Sequence, residues 1–159
     1  MLVNPSPFLG KFLENHENLY WLYSIQNNQF DKAGDCLLTL ANNEDKILER
    51  KKTLFSLSKL SYLANGLNDD DELIESINKQ HEIIAFQEII QELMPNKLAK
   101  DKPLTPISMI EILIDEENDK LTENEFKYAL DLTTYIKDDI YKFEEIKKMI
   151  IVNAILRDK

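Results

Sequence analysis

The chain has 159 residues, 43% hydrophobic and 30% charged, enough apolar matter for a core and enough charge to coat it. Twenty-nine acidic residues against 19 basic ones leave a formal charge of −10, which argues against binding nucleic acid or anionic lipid through the surface as a whole, because both need Lys and Arg to replace counterions. Three glycines and five prolines cannot supply the turns of an all-β or α/β fold, and a lone cysteine, Cys36, cannot close an internal disulfide, so the expectation is an all-α protein of a reducing compartment.

The N-terminal 15 residues or so, with Pro5 and Pro7, read as weakly ordered and carry no secretory signal. From Glu17 to Gln26 a helix places Leu19, Leu22, Tyr23 and Gln26 on one face, with Trp21 and Ile25 beside them. Asn27-Asn28 breaks it, and a second helix from Phe30 presents Ala33, Leu37, Leu40 and Ala41. Two short helices joined by a tight polar turn make an αα-hairpin, the unit of a helical stack. A longer helix is predicted from Asp45 to Ala64, with Asn65-Gly66 as its C-cap. Asn68 to Glu72 then puts negative charge at the next helix start, which the macrodipole favours. That helix runs through Leu73, Ile77, Ile84 and Ile90 towards Met94, where Pro95 stops it.

After a loop over 96–104, Thr105-Pro106 starts a helix with Met109, Ile110, Leu113 and Ile114. Thr122 to Glu125 reads as a capping box opening a helix with Phe126, Ala129, Leu130, Thr133, Tyr135 and Ile136. The last helix, from Asp139, holds Phe143, Ile146, Met149, Ile150 and Leu156. Its longest apolar run, Met149 to Val152, is far too short to span a bilayer. So much apolar surface on a closing helix fits a stack belonging to a longer chain. The architecture expected is an irregular helical stack, an α-solenoid-like bundle of antiparallel hairpins with about seven or eight helices, forming one domain over 1–159.

Candidate chemistry is sparse. His16 and His81 lie in separate helical segments, and neither has a nucleophile beside it in sequence. Cys36, next to Leu37, reads as a buried structural thiol. One cysteine and two histidines cannot build a zinc tetrahedron. The run Asp115 to Asp119 has oxygens at alternating positions, yet Lys120 stands where a calcium loop needs glycine. Glycines never cluster, so no phosphate-cradling loop is formed. The expectation is no enzyme, no metal, no cofactor and no small-molecule substrate.

What remains is interaction surface. On the helix from Asp45 to Ala64, Leu54, Leu57, Leu60, Ser61 and Ala64 lie along one side, while Leu48, Phe55 and Tyr62 line a roughly opposite one. A helix apolar on two sides is covered twice. Either its own neighbours cover both sides, or one side docks a partner helix.

Several segments carry a resemblance: Trp21-Leu22, Phe30 with Ala33, Leu40-Ala41-Asn42, and Lys51-Lys52-Thr53-Leu54 followed by Leu57-Ser58-Lys59-Leu60. Further on come Leu104-Thr105, Glu116-Glu117-Asn118, Phe126 to Leu132, Tyr135-Ile136 and Leu156-Arg157-Asp158. In this order and spacing the chain, from about His16 on, resembles the C-terminal helical domain of the nucleoporin-133 family, scaffold nucleoporins at the stalk end of the nuclear pore Y complex. The resemblance implies a scaffold or adaptor at the nuclear pore that binds the neighbouring stalk nucleoporin, nucleoporin-84 in fungi and nucleoporin-107 in animals. It further implies that the docking surface includes the helix Lys51 to Ala64. Leu57 and Leu60 would be its anchors, Leu54, Ser61 and Ala64 would complete the patch, and Lys51 would influence register and encounter. The family's β-propeller and long helical middle have no counterpart here, so the chain would be a fragment without their membrane contacts. The alternative is a stand-alone helical protein with an enclosed pocket for a small ligand or regulator.

Overall fold

A computed structural model of the chain describes residues 7–13, 16–95, 101–115, 123–136 and 140–157. Among them are eight α-helices and no strand: α1 Pro7–Leu13, α2 Glu17–Gln26, α3 Phe30–Asn43, α4 Leu48–Ala64, α5 Glu72–Leu93, α6 Pro106–Ile114, α7 Glu123–Leu132 and α8 Ile140–Arg157, with a 3-10 turn at Thr133–Tyr135 after α7. The all-α reading therefore holds. The chain divides into two compact units, Met1–His81 and Glu82–Lys159. The boundary falls within α5.

In the first unit, α1 occupies part of the segment for which little order is expected, with Phe8 and Phe12 exposed. Helix α2 ends as its asparagines dictate. Asn28 takes a φ of 56°, a left-handed conformation that Asn tolerates better than most residues. The amides of Asn28 and Gln29 then bond back to the carbonyls of Ile25 and Ser24 at 3.0 and 2.8 Å. The inward side of α2 is not its leucine face. Leu19 and Leu22 are exposed, whereas Ser24 is fully buried and its hydroxyl has no hydrogen-bond partner. Ala33, Gly34, Leu37 and Ala41 form the buried stripe of α3.

Helix α4 starts at Leu48 rather than Asp45. The Glu44 carboxylate accepts the amides of Lys46 and Ile47 at 3.0 and 3.1 Å, holding those residues in a turn outside the helix. At the other end, Gly66 at φ 97° permits a double C-cap. Its own amide bonds the Leu63 carbonyl, and the amide of Leu67 bonds that of Tyr62, at 3.0 and 3.1 Å. The start of α5 carries Glu72 and Glu75 in its first turn, and buries Ile74 and Ile77.

In the second unit, Ile90, Met109, Ile110, Leu113, Ile114, Ala129, Leu132, Ile146 and Ile150 form one buried cluster. Thr105 caps α6 as its sequence predicts, accepting the amide of Ser108 at 3.2 Å. Gln87, on α5, is buried as well. It donates to the Lys102 carbonyl at 2.7 Å and accepts the Leu104 amide at 2.8 Å, pinning the approach to α6. Phe86 meets the rings of Tyr128 and Tyr135 edge-on, and the Tyr135 hydroxyl donates to Glu82 at 2.7 Å. Burial first, and that bond second, push the Tyr135 phenol up to about 12. The capping residue Thr122 and the acidic run beyond Asp115 lie outside the described residues.

Candidate docking surface

Around α4, successive residues advance by ~100°, so its outward strip can be read from exposure. Leu48, Leu54, Phe55, Ser58, Ser61 and Tyr62 are buried. Leu60 is 61% exposed, Ala64 is exposed, and Leu57 is half-buried between the two classes. The expected patch is thus divided. Leu54 and Ser61 lie on the inward side, because five residues placed along one side of a helix still span about a third of its circumference. The strip that reaches solvent is Leu57, Leu60 and Ala64, with Glu49 and Thr53 on the same side.

Lys51 lies elsewhere. Nine residues separate it from Leu60, which places it roughly half a turn away around the helix. Its ammonium donates to the Glu44 carbonyl at 3.2 Å and stands 5.8 Å from the centre of the Phe55 ring. Burial lowers its pKa, against the raising influence of Glu44 and Asp45. Lys51 therefore braces the α3–α4 turn and does not border the leucine strip. Glu44 is the centre of that brace. The Lys46 amide does most to hold its carboxyl below the ordinary range, opposed by burial and helped by Ile47 and by Arg50, whose Nε lies 3.2 Å away. Arg50 also donates to Asn18 Oδ1 at 3.3 Å, tying the start of α4 to the start of α2.

The remaining candidate groups are scattered. His16 is exposed and lies 4.7 Å from Phe12 between ring centres. His81, on α5, meets Phe55 edge-on and Ser56 Oγ at 3.5 Å. Burial lowers its pKa, with Lys59 and Lys52 adding to the effect. Cys36 is half-buried on α3. Among the described residues no three His, Cys, Asp or Glu side chains gather as a metal site, and no helix is long and apolar enough to cross a membrane.

Among the described residues lie two open depressions. One of about 410 Å³ is lined by Glu88, Gln91, Glu92 and Pro95, and one of about 480 Å³ by Leu67, Asp71, Glu72, Leu73 and Ser76. Both are open to solvent and rimmed by carboxylates, unlike the enclosed apolar pocket that a small-ligand protein needs. A second run of exposed apolar residues lies on the C-terminal half of α8: Met149, Ile151, Val152, Ile155 and Leu156.

The family model described as "Non-repetitive/WGA-negative nucleoporin C-terminal" matches residues 1–133. The chain is 38% identical over 157 residues to the human nuclear pore complex protein Nup133, 36% identical to its mouse counterpart over 157 residues and 31% identical to that of zebrafish over 161. Each match covers 94% of this chain and 14% of the relative, so the chain spans about a seventh of the length of these proteins.

Proposed function

The chain belongs to the non-repetitive, WGA-negative nucleoporin C-terminal family, and from that premise we propose that it is a scaffold module of the nuclear pore complex that docks on a neighbouring nucleoporin through the outward strip of α4. The observation that carries this reading is Leu60, a leucine 61% exposed in the middle of a helix most of whose other large apolar side chains are packed inside. An exposed leucine beside Leu57 and Ala64 gives up solvent at little conformational cost when a partner helix covers it.

The occupant is the neighbouring stalk nucleoporin, nucleoporin-107 in animals or nucleoporin-84 in fungi, as the resemblance in Leu57-Ser58-Lys59-Leu60 implies. Leu57 and Leu60 act as anchors and Ala64 lets the partner approach closely. Leu54 and Ser61 support the strip from inside, and Lys51 contributes through the stability of the α3–α4 turn. The module works as an adaptor at the nuclear envelope without catalysis or cofactor.

Mixing the chain with the C-terminal helical region of that neighbour and separating the mixture by size tests the reading. Stoichiometric co-elution is expected, and Leu60→Asp abolishes it while leaving the helical circular dichroism intact. Separate elution of two folded proteins would refute the choice of partner. Stabilisation by a small molecule in a thermal-shift screen, without such co-elution, would favour the ligand-binding alternative.

A further inference from the structure

We propose that Gly34, Asp35, Ser58 and Tyr62 are positioning residues, whose contacts fix the rotation of α4 about its own axis and thereby decide that Leu60 faces outward. The functional consequence rests on the docking reading above, whereas the contacts themselves lie within the first unit.

Apolar residues alone do not specify this rotation. Leu48, Leu54, Phe55, Leu57, Leu60, Tyr62 and Leu63 are spread around the whole circumference of α4 at ~100° per residue. Hydrophobic burial is non-directional, so several rotations of α4 against α3 would bury comparable apolar area. The selection must come from contacts that only one rotation allows.

Those contacts converge on Gly34. A Cβ at this position would stand 2.8–2.9 Å from atoms of the Tyr62 ring, so the ring fills space that only glycine leaves open. The Tyr62 hydroxyl donates to Asp35 Oδ1 at 2.6 Å, and the buried Ser58 hydroxyl donates to the Gly34 carbonyl at 2.9 Å. Ser58 and Tyr62 lie one turn apart on one line of α4, facing two consecutive residues of α3. Turning α4 by one residue would break both bonds and strand a hydroxyl in the interior, a penalty that a merely apolar seam does not impose. Burial and the Asp35 carboxylate raise the Tyr62 pKa, so the phenol keeps its proton and remains a donor. Leu60 comes two residues after Ser58 and two before Tyr62, ~200° from each around the axis, which is the opposite side of the helix. The lock and the exposed leucine are therefore two ends of one geometry.

Two thiol reporters test this in the isolated chain, in a Cys36→Ser background. One carries Leu60→Cys, at the 61% exposed position, and the other Ser61→Cys, at a position 5% exposed. With the lock intact, the Leu60→Cys thiol is alkylated at least about tenfold faster than the Ser61→Cys thiol. Removing both hydrogen bonds with Ser58→Ala and Tyr62→Phe slows the first and speeds the second, bringing the two rates within about threefold of each other. Gly34→Ala, which adds bulk against the ring, shifts the rates in the same two directions. The bond-removing pair adds no bulk and decides the matter if Gly34→Ala does not fold. A rate ratio that stays near its starting value in a folded variant would overturn the proposal. So would both thiols speeding up together, because that is general loosening and not rotation. No partner is present, so this outcome and the outcome of the co-elution test can fail separately.

Discussion

Both units bury an apolar core, and they differ in the small residues and polar contacts that accompany it. In Glu82–Lys159 the buried residues are mainly aliphatic, with Ile90, Met109, Ile110, Leu113, Leu132 and Ile150 at 0–1% exposure, beside the polar Gln87, Glu125 and Thr133. In Met1–His81 the large apolar residues Leu37, Phe55, Ile74 and Ile77 are buried together with small ones, Ala33, Gly34 and Ala41, and with Ser24, Ser58, Ser61 and Tyr62. Aliphatic bulk supplies stability without direction, and tolerates repacking when volume is kept. Small residues crossed by hydrogen bonds bring helices close and permit only one register. The unit that carries the proposed docking strip also carries the polar contacts between α4 and α3, from Ser58 to the Gly34 carbonyl and from Tyr62 to Asp35.

Within the second unit, an apolar and a polar buried position should each be costly to change. Leu113→Ala should cost about 2–5 kcal/mol in chemical denaturation, because a fully buried leucine in a close-packed cluster leaves a cavity. Gln87→Leu, in the same unit, should cost about 1–3 kcal/mol, because it strands the Lys102 carbonyl and the Leu104 amide that Gln87 satisfies. Faster amide exchange at Leu104 would locate the loss.

The first unit should lose stability on acidification through two shifted groups, whereas the buried aliphatic cluster has none to titrate. His81 has a folded-state pKa below its ordinary 6.5, so the unfolded chain takes up the proton first as pH falls. Stability from a neutral His81 is complete above 6.5 and declines as pH drops towards the lower folded value. Glu44 has a folded pKa below its ordinary 4.5, so its contribution is present above 4.5 and is lost as pH falls through the folded value. Urea midpoints should therefore fall in two steps on acidification. His81→Gln should flatten the upper step and Glu44→Gln the lower. A single step unchanged by both substitutions would break the comparison. The smallest effect belongs to Leu60→Ala, which should alter stability by about 0.5 kcal/mol or less, as expected for an exposed side chain.

Much of the fold is legible from local signals. Asn27-Asn28, Asn65-Gly66, Pro95 and Thr105-Pro106 each mark a helix end because the backbone there needs a left-handed residue, a missing donor or a cap. The true start of α4 escapes such reading, since it depends on Glu44 turning its carboxylate onto the following amides instead of joining the helix. Gln87 escapes it too, because periodicity takes a polar residue at a core position for a surface one. The candidate strip is half legible. Leu57, Leu60 and Ala64 can be found from spacing and resemblance, but the inward turn of Leu54 and Ser61 cannot. That depends on Tyr62 entering the gap at Gly34, a contact between residues far apart in sequence. Lys51 shows the same limit, as its charge suggests an outward role that its bond to Glu44 denies.

Among the described residues, half-buried Leu57 with exposed Leu60 and Ala64 on α4 is one apolar surface, and exposed Met149, Val152, Ile155 and Leu156 on α8 are another, beside Phe8 and Phe12 on α1 and Leu19 and Leu22 on α2. The most direct test is a calorimetric titration of the neighbouring stalk nucleoporin's C-terminal helical region into the wild-type chain, Leu60→Asp and Val152→Asp. Docking through α4 predicts that Leu60→Asp weakens binding by about 30-fold or more, the size of a hot-spot loss, while Val152→Asp stays within about twofold of wild type. The reverse pattern, with Leu60→Asp binding as wild type and Val152→Asp losing affinity, would contradict the assignment of the docking surface to α4.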